Sequence, residues 1–257
     1  MTMNRRLIVA ALVAAILAIS SAAAAAAGFE LGEINVGGSV SYGTLTISDF
    51  QNYDRYIATL PVFAVSGRYE VLPDVNLLVD YVFGSRALDE DDVYWDDEEP
   101  YYVNDYMYRV NDYMYRHLSL AGTVGMTKNL DLVLGWTRFT SGYTEDELIT
   151  RNSGSGFKVG LAANVPITDA LSVGASYAYM PLMYATTSYP QDGDVTDNYV
   201  GQGRELQAGL EYTTGFGLSI RLGFRSEVYS GVADSSQADL YDLSGFRGGF
   251  LSVSYSF

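Results

Sequence analysis

The sequence predicts an all-β chain folded as a transmembrane antiparallel up-and-down β-barrel of about ten strands. Eight or twelve strands are the alternatives, if one pair of segments is split or merged. Three observations predict this fold. Segments of about ten residues alternate apolar and polar side chains with a period of two, which gives a strand two unlike faces. Short polar turns alternate with longer polar connections, as an up-and-down barrel with one short-turn rim and one long-loop rim requires. After residue 27 no stretch approaches about 18 continuous apolar residues. Tyr (22) and Gly (26) are abundant there, which suits short strands better than helices.

The first 27 residues read as a cleaved secretory signal peptide. Asn4, Arg5 and Arg6 form a basic start, and residues 7–19 are apolar. Residues 20–27 are small and end in an A-x-A-like site. The apolar run of thirteen residues is shorter than the ~20 a spanning helix needs. Residues 28–257 are then a single barrel domain.

The strands follow in order. Residues 34–47 set Ile34, Val36, Val40 and Tyr42 against Asn35, Ser39 and Ser41. Residues 56–71 set Phe63, Val65, Tyr69 and Val71 against Ser66, Arg68 and Glu70, and Leu72-Pro73-Asp74 makes a tight turn. Residues 75–84 set Val75, Leu77, Val79, Tyr81 and Phe83 against Asn76 and Asp80. After a long polar segment, residues 113–126 set Leu118, Leu120 and Val124 against His117, Ser119 and Thr123. Residues 130–139 set Leu130, Leu132, Leu134 and Trp136 against Asp131, Gly135 and Thr137. Residues 141–155 read as a polar connection, and residues 156–165 set Phe157, Val159 and Leu161 against Lys158 and Asn164. Residues 171–180 set Leu171, Val173, Tyr177 and Tyr179 against Ser172, Gly174 and Ser176. Residues 181–198 read as a long connection with two prolines. Residues 203–212 set Leu206, Leu210 and Tyr212 against Glu205, Gln207 and Glu211. Residues 218–229 set Leu218, Ile220, Leu222 and Phe224 against Arg221, Arg225 and Glu227, and a polar connection leads to the last strand.

That last strand, residues 246–257, puts Leu251, Val253, Tyr255 and Phe257 on one face and Ser252, Ser254 and Ser256 on the other. Its aromatic final residue resembles the closing strand of Gram-negative outer-membrane β-barrel proteins, the class of small porin-like and OmpA-like barrels. The resemblance covers residues 34–257 at the level of the class and matches no narrower family motif. It implies the outer membrane of a Gram-negative bacterium, with both termini periplasmic. It also implies outer-membrane lipid and lipopolysaccharide as surroundings, and recognition of Phe257 as the signal for the barrel-insertion machinery.

In such a barrel the apolar face meets lipid and the polar face lines the lumen. The lumen set is then Arg68, Glu70, Asp80, Asp131, Lys158, Glu205, Glu211, Arg221, Arg225 and Glu227. A ten-stranded lumen is narrow, so these charges either pair into a plug or line a thin hydrated pore. Tyr69, Tyr81, Trp136, Tyr177, Tyr179, Tyr212 and Tyr255 read as aromatic girdles. Arg116, Arg138, Arg204 and Arg247 share outward parity at one height, ~25 Å above the turns, where guanidinium groups meet lipopolysaccharide phosphates.

The remaining features bound the function. The net charge of −16 argues against nucleic acid as a partner, and the absence of Cys excludes disulfides and thiolate metal sites. Residues 89–99 hold eight acids in eleven positions and read as a solvated external loop, without the spacing or Gly of a calcium loop. The heptapeptide VNDYMYR occurs at 103–109 and again at 110–116, and reads as strand extending above the membrane with tyrosines available for contact. No metal or cofactor site is indicated. The leading functional reading is a narrow porin-like channel for ions or small solutes. The alternative is a non-conducting structural barrel that binds partners or cations through acidic, Tyr-rich external loops. A third reading, a hydrolase, would rest on His117, the only histidine, which shares a face with Ser119.

Overall fold

The computed structural model describes residues 33–49, 54–87, 110–145, 148–189, 195–232 and 241–257. The expected signal peptide, the acidic run 89–99 and the first heptapeptide copy lie outside the described residues. Ten strands form one closed antiparallel barrel. They are β1 (Ile34–Asp49), β2 (Asp54–Leu72), β3 (Val75–Ala87), β4 (Val110–Thr127), β5 (Leu130–Glu145), β6 (Leu148–Pro166), β7 (Leu171–Tyr189), β8 (Val195–Thr213), β9 (Leu218–Val232) and β10 (Tyr241–Ser256). Each strand pairs with its sequence neighbours, and β1 closes against β10 from Asn35↔Ser256 to Ile47↔Ser244. Closure leaves no unpaired strand edge, as hydrocarbon surroundings demand.

One rim carries the four tight turns and will be called the turn end; the other is the loop end. The turns have simple causes. Pro73 fixes the first corner of the β2–β3 turn, and Asp74 takes the left-handed conformation (φ 65°) that Asp tolerates. The β8–β9 turn ends on Gly217 at φ 90°, and Thr214 holds it by accepting a hydrogen bond from Leu218 N at 3.1 Å.

At the turn end the strands begin and end within two residues of the sequence expectation. At the loop end they run much further. Residues 141–145, 148–155, 181–189 and 195–198, expected in connections, are strand, and only residues 146–147 lie between β5 and β6. Pro181 does not stop β7 because a bulge absorbs it, with the register shifting between Met180 and Met183. A strand of 19 residues such as β7 climbs ~45 Å at ~2.5 Å per tilted residue, well beyond an apolar band of ~25 Å.

The side-chain pattern explains the extra length. In the turn-end half the exposed outward residues are apolar, including Leu77, Val79, Leu134, Leu161, Leu210 and Leu251. In the loop-end half the alternation keeps its period and reverses its sense. Thr44, Thr46, Thr59, Arg151, Ser153 and Ser188 face outward, while Leu45, Ile47, Leu60, Met183, Ala185 and Tyr189 are buried inside. A segment with water on the outside and a packed interior is what the upper strands encode. The expectation of a polar interior throughout is therefore corrected: the loop-end half has an apolar core.

Candidate functional site

The interior is built in layers. The first, just above the turn-end half, is a charged network contributed by six strands. On β8, Glu205 accepts at Oε1 from Thr137 Oγ1 (3.0 Å) and Tyr229 OH (3.4 Å), and at Oε2 from Lys158 Nζ (2.5 Å). Lys158 also donates to Ser119 Oγ at 2.7 Å. On β9, Arg225 donates through Nε to Glu227, through Nη2 to Asp80 Oδ2 (3.2 Å) and through Nη2 to His117 Nδ1 (3.1 Å). Tyr115 OH donates to the other oxygen of Glu227.

His117 sits between the two glutamates, 2 % exposed. A guanidinium has only donors, so the Arg225 contact makes Nδ1 the accepting nitrogen. Nε2 then carries the proton and donates it to Glu205 at 3.2 Å. The β4 strand lies opposite β9 in the ring of ten, five strands away in either direction. Tyr115–Glu227 and His117–Arg225 are thus contacts across the full lumen.

An aromatic and aliphatic layer covers the network. The Phe139 ring stacks on Tyr229 at 4.1 Å with 9° between planes, and Tyr115 stacks on Phe246 at 5.9 Å. Met180, Met183, Tyr199 and Leu243 fill one side, and Leu45, Ile47, Leu60, Val62 and Tyr143 the other. Higher still, Asn152 of β6 donates to the carbonyls of Ser48 (2.9 Å) and Leu243 (2.8 Å), on β1 and β10, while accepting from Thr187 (2.7 Å). β6 and β1 also face each other across the ring. The lumen is therefore bridged at three heights.

Of the ten residues expected in the lumen, nine line one cavity of about 350 Å³ below the charged layer. Glu70 has inward parity on β2 and lies outside that lining. The structure brings Asp80, Lys158, Glu205, Arg225 and Glu227 into the network, and leaves Arg68, Asp131, Glu211 and Arg221 nearer the turns. Arg116, Arg138, Arg204 and Arg247 all face outward and are exposed, at the level where the alternation reverses. Phe257 is exposed and its N–H donates to Ile34 O at 2.8 Å.

One expectation is corrected. Tyr113 and Tyr115 of the second heptapeptide copy are not available for contact; both point inward and are buried, because the copy falls in the reversed half of β4. Ser119 and His117 do not form a pair: the serine oxygen is held by Lys158, and both imidazole nitrogens are engaged by Glu205 and Arg225. Tyr115, Asn152 and Tyr229 were missed as interior partners. Their signal was present as inward parity on a continuing period of two.

The comparisons with known proteins follow the architecture. The family model described as "Outer membrane protein beta-barrel domain" matches residues 11–183. The solved outer membrane protease OmpT from Escherichia coli aligns with a TM-score of 0.53 at 12 % identity, covering 89 % of this chain and 99 % of that one. Neisserial surface protein A aligns at 0.39 and 10 % identity over 88 % and 99 % of the two chains. The attachment invasion locus protein Ail of Yersinia pestis aligns at 0.33 and 12 % identity, again over 88 % and 99 %. No curated protein matches in sequence. The family match spans more than half of the chain, and with the closed ten-stranded barrel it establishes that this protein belongs to the outer-membrane β-barrel family.

Proposed function

We propose that this outer-membrane protein is a closed structural barrel, and that its loop-end head serves contact with partners outside the cell. The observation that carries this reading is the bridging of the lumen at three levels: Arg225–His117 with Tyr115–Glu227, the Phe139–Tyr229 stack above them, and Asn152 higher still. The narrow-channel reading would need all three levels to part. The reversal of the side-chain pattern supports the second half of the proposal, since a packed head rising ~20 Å beyond the apolar band carries its loops well clear of the membrane. In this reading the loop end is extracellular and the turn end periplasmic. The acidic run 89–99, which follows β3 in the sequence, suits a cationic partner. No catalytic role is assigned to His117.

Liposome swelling tests the closure. Proteoliposomes of the folded protein are expected to swell in iso-osmotic arabinose no faster than empty vesicles. Swelling at the rate of an open general porin would sink the proposal.

The four outward arginines are proposed to hold lipopolysaccharide phosphates. Changing Arg116, Arg138, Arg204 and Arg247 together to Gln is expected to reduce co-purifying lipopolysaccharide at least ~10-fold, given ~1.5–3 kcal/mol for each hydrogen bond to a charged group. An unchanged lipid-to-protein ratio would refute that role.

A further inference from the structure

Below the charged layer lies a blind cavity of about 350 Å³ that the closed-barrel reading does not use. Small residues make its space: Ala162 on β6, and Gly174, Ser176 and Ala178 on β7. Its ceiling is His117, Glu205 and Glu227, and its mouth is the turn end, where Arg68 and Asn164 are exposed. The volume falls at the lower end of the ~300–1,000 Å³ typical of small-molecule sites.

The charges in its wall divide into two groups. Asp80, Lys158, Glu205, Arg225 and Glu227 pair with one another in the ceiling, three carboxylates to two cations. Arg68, Asp131, Glu211 and Arg221 also line the cavity, and among the described residues none of the four makes an ion pair. Arg68 only donates to the amide oxygen of Asn76 at 2.9 Å. Arg221 and Glu211 are cross-strand neighbours whose charges attract without closing a hydrogen-bonded ion pair, and among the described residues Asp131 and Arg68 make none either. Two cations and two carboxylates thus face the pocket with charge-assisted hydrogen bonds still to be made.

Arg221 is held in place by design of the backbone around it. Its side chain runs from β9 across β8 to β7, where Nη2 donates to Gly174 O at 3.3 Å. Two paired glycines form the shelf beneath it. A Cβ on Gly209 would lie 3.2 Å from Arg221 Nε, and one on Gly174 would lie 3.2 Å from Nη2. The Phe250 ring lies against the guanidinium, 5.6 Å from centroid to Cζ. The Nε of Arg221 is buried with no partner. A planar cation fixed this way matches a carboxylate better than a sphere of water.

We propose that this cavity binds a small zwitterion of the amino-acid or dipeptide class, its carboxylate on Arg221 and its ammonium toward Asp131 and Glu211. A ligand with one charge would answer only one sign in that wall, whereas a zwitterion answers both. In the orientation proposed above, the mouth faces the periplasm. Binding here does not depend on whether the lumen above is closed.

The test is isothermal titration of the detergent-solubilised barrel with glycylglycine, with acetate and methylammonium as single-charge probes. Folding of every variant is checked by heat-modifiable gel mobility. Glycylglycine is expected to bind at least ~10-fold more tightly than either single-charge probe. Arg221→Gln and Asp131→Asn are each expected to weaken it ~10-fold, and Ser176→Leu, which fills the cavity without touching a charge, to abolish it. No heat with glycylglycine, or affinity equal to that of acetate or methylammonium, would overturn the proposal. So would glycylglycine affinity unchanged in folded Arg221→Gln and Ser176→Leu.

Discussion

Arg225→Ala is expected to destabilise the folded barrel by about 3–5 kcal/mol, the loss typical of removing one partner from a buried ion pair. Arg225 meets Asp80, Glu227 and His117 at once. Without it, Glu227, 2 % exposed, retains the Tyr115 hydroxyl and the His117 ring at 3.8 Å, and its charge is left in a site closed above by aromatic rings. The measurement is urea unfolding in detergent, followed by heat-modifiable mobility. Removing the pair together, as Arg225→Met with Glu227→Leu, is expected to recover much of the loss, because two desolvation costs vanish with the attraction. If the single variant unfolds at the same midpoint as the parent, the network contributes nothing to holding the barrel.

Phe139→Ala should have an effect of similar size by a different mechanism. Phe139 is 1 % exposed and stacks on Tyr229 above the charged layer. Truncation removes the buried ring and opens a cavity between β5 and β9, for which losses of about 3–5 kcal/mol are typical. The same substitution would cost little if the loop-end half were water-filled, as a polar lumen would make it. Phe139→Leu, which keeps most of the volume, should fall well below the alanine variant. Equal stability of Phe139→Ala and the parent protein would contradict the apolar core.

Much of the fold was legible in the sequence. The period of two and the turn residues located all ten strands, and Pro73-Asp74 marked its turn correctly. What was not read was the reversal. Residues 141–155 and 181–198 looked like connections because their apolar residues are interrupted by Ser, Thr, Asn and Gly where an outward lipid face would need Leu or Val. The same positions make sense once water lies outside: Tyr143, Met183, Ala185 and Tyr189 then alternate inward. Pro181 reinforced the error, since a bulge that accommodates proline leaves no local signal beyond the proline itself.

The candidate site was legible only as a set. Inward parity identified Asp80, Lys158, Glu205, Arg225 and Glu227, but parity says nothing about which charge meets which across a barrel. His117 shows the limit most clearly. On sequence its neighbour on the same face was Ser119, two residues away; in three dimensions its partners are Glu205 and Arg225, 88 and 108 residues away. Those contacts depend on strands four and five places apart in the ring, a relation that only closure of the sheet creates.

The most direct test of the central claim is planar-bilayer recording from the folded barrel, with the parent protein and the Arg225→Met, Glu227→Leu, Phe139→Ala, Asn152→Ala variant compared in one membrane. The closed-lumen account predicts a silent parent, and conductance steps once all three bridging levels are cut. Steady conductance from the parent protein, with ion preference that follows charge reversal at Arg221 and Arg225, would contradict it and restore the channel.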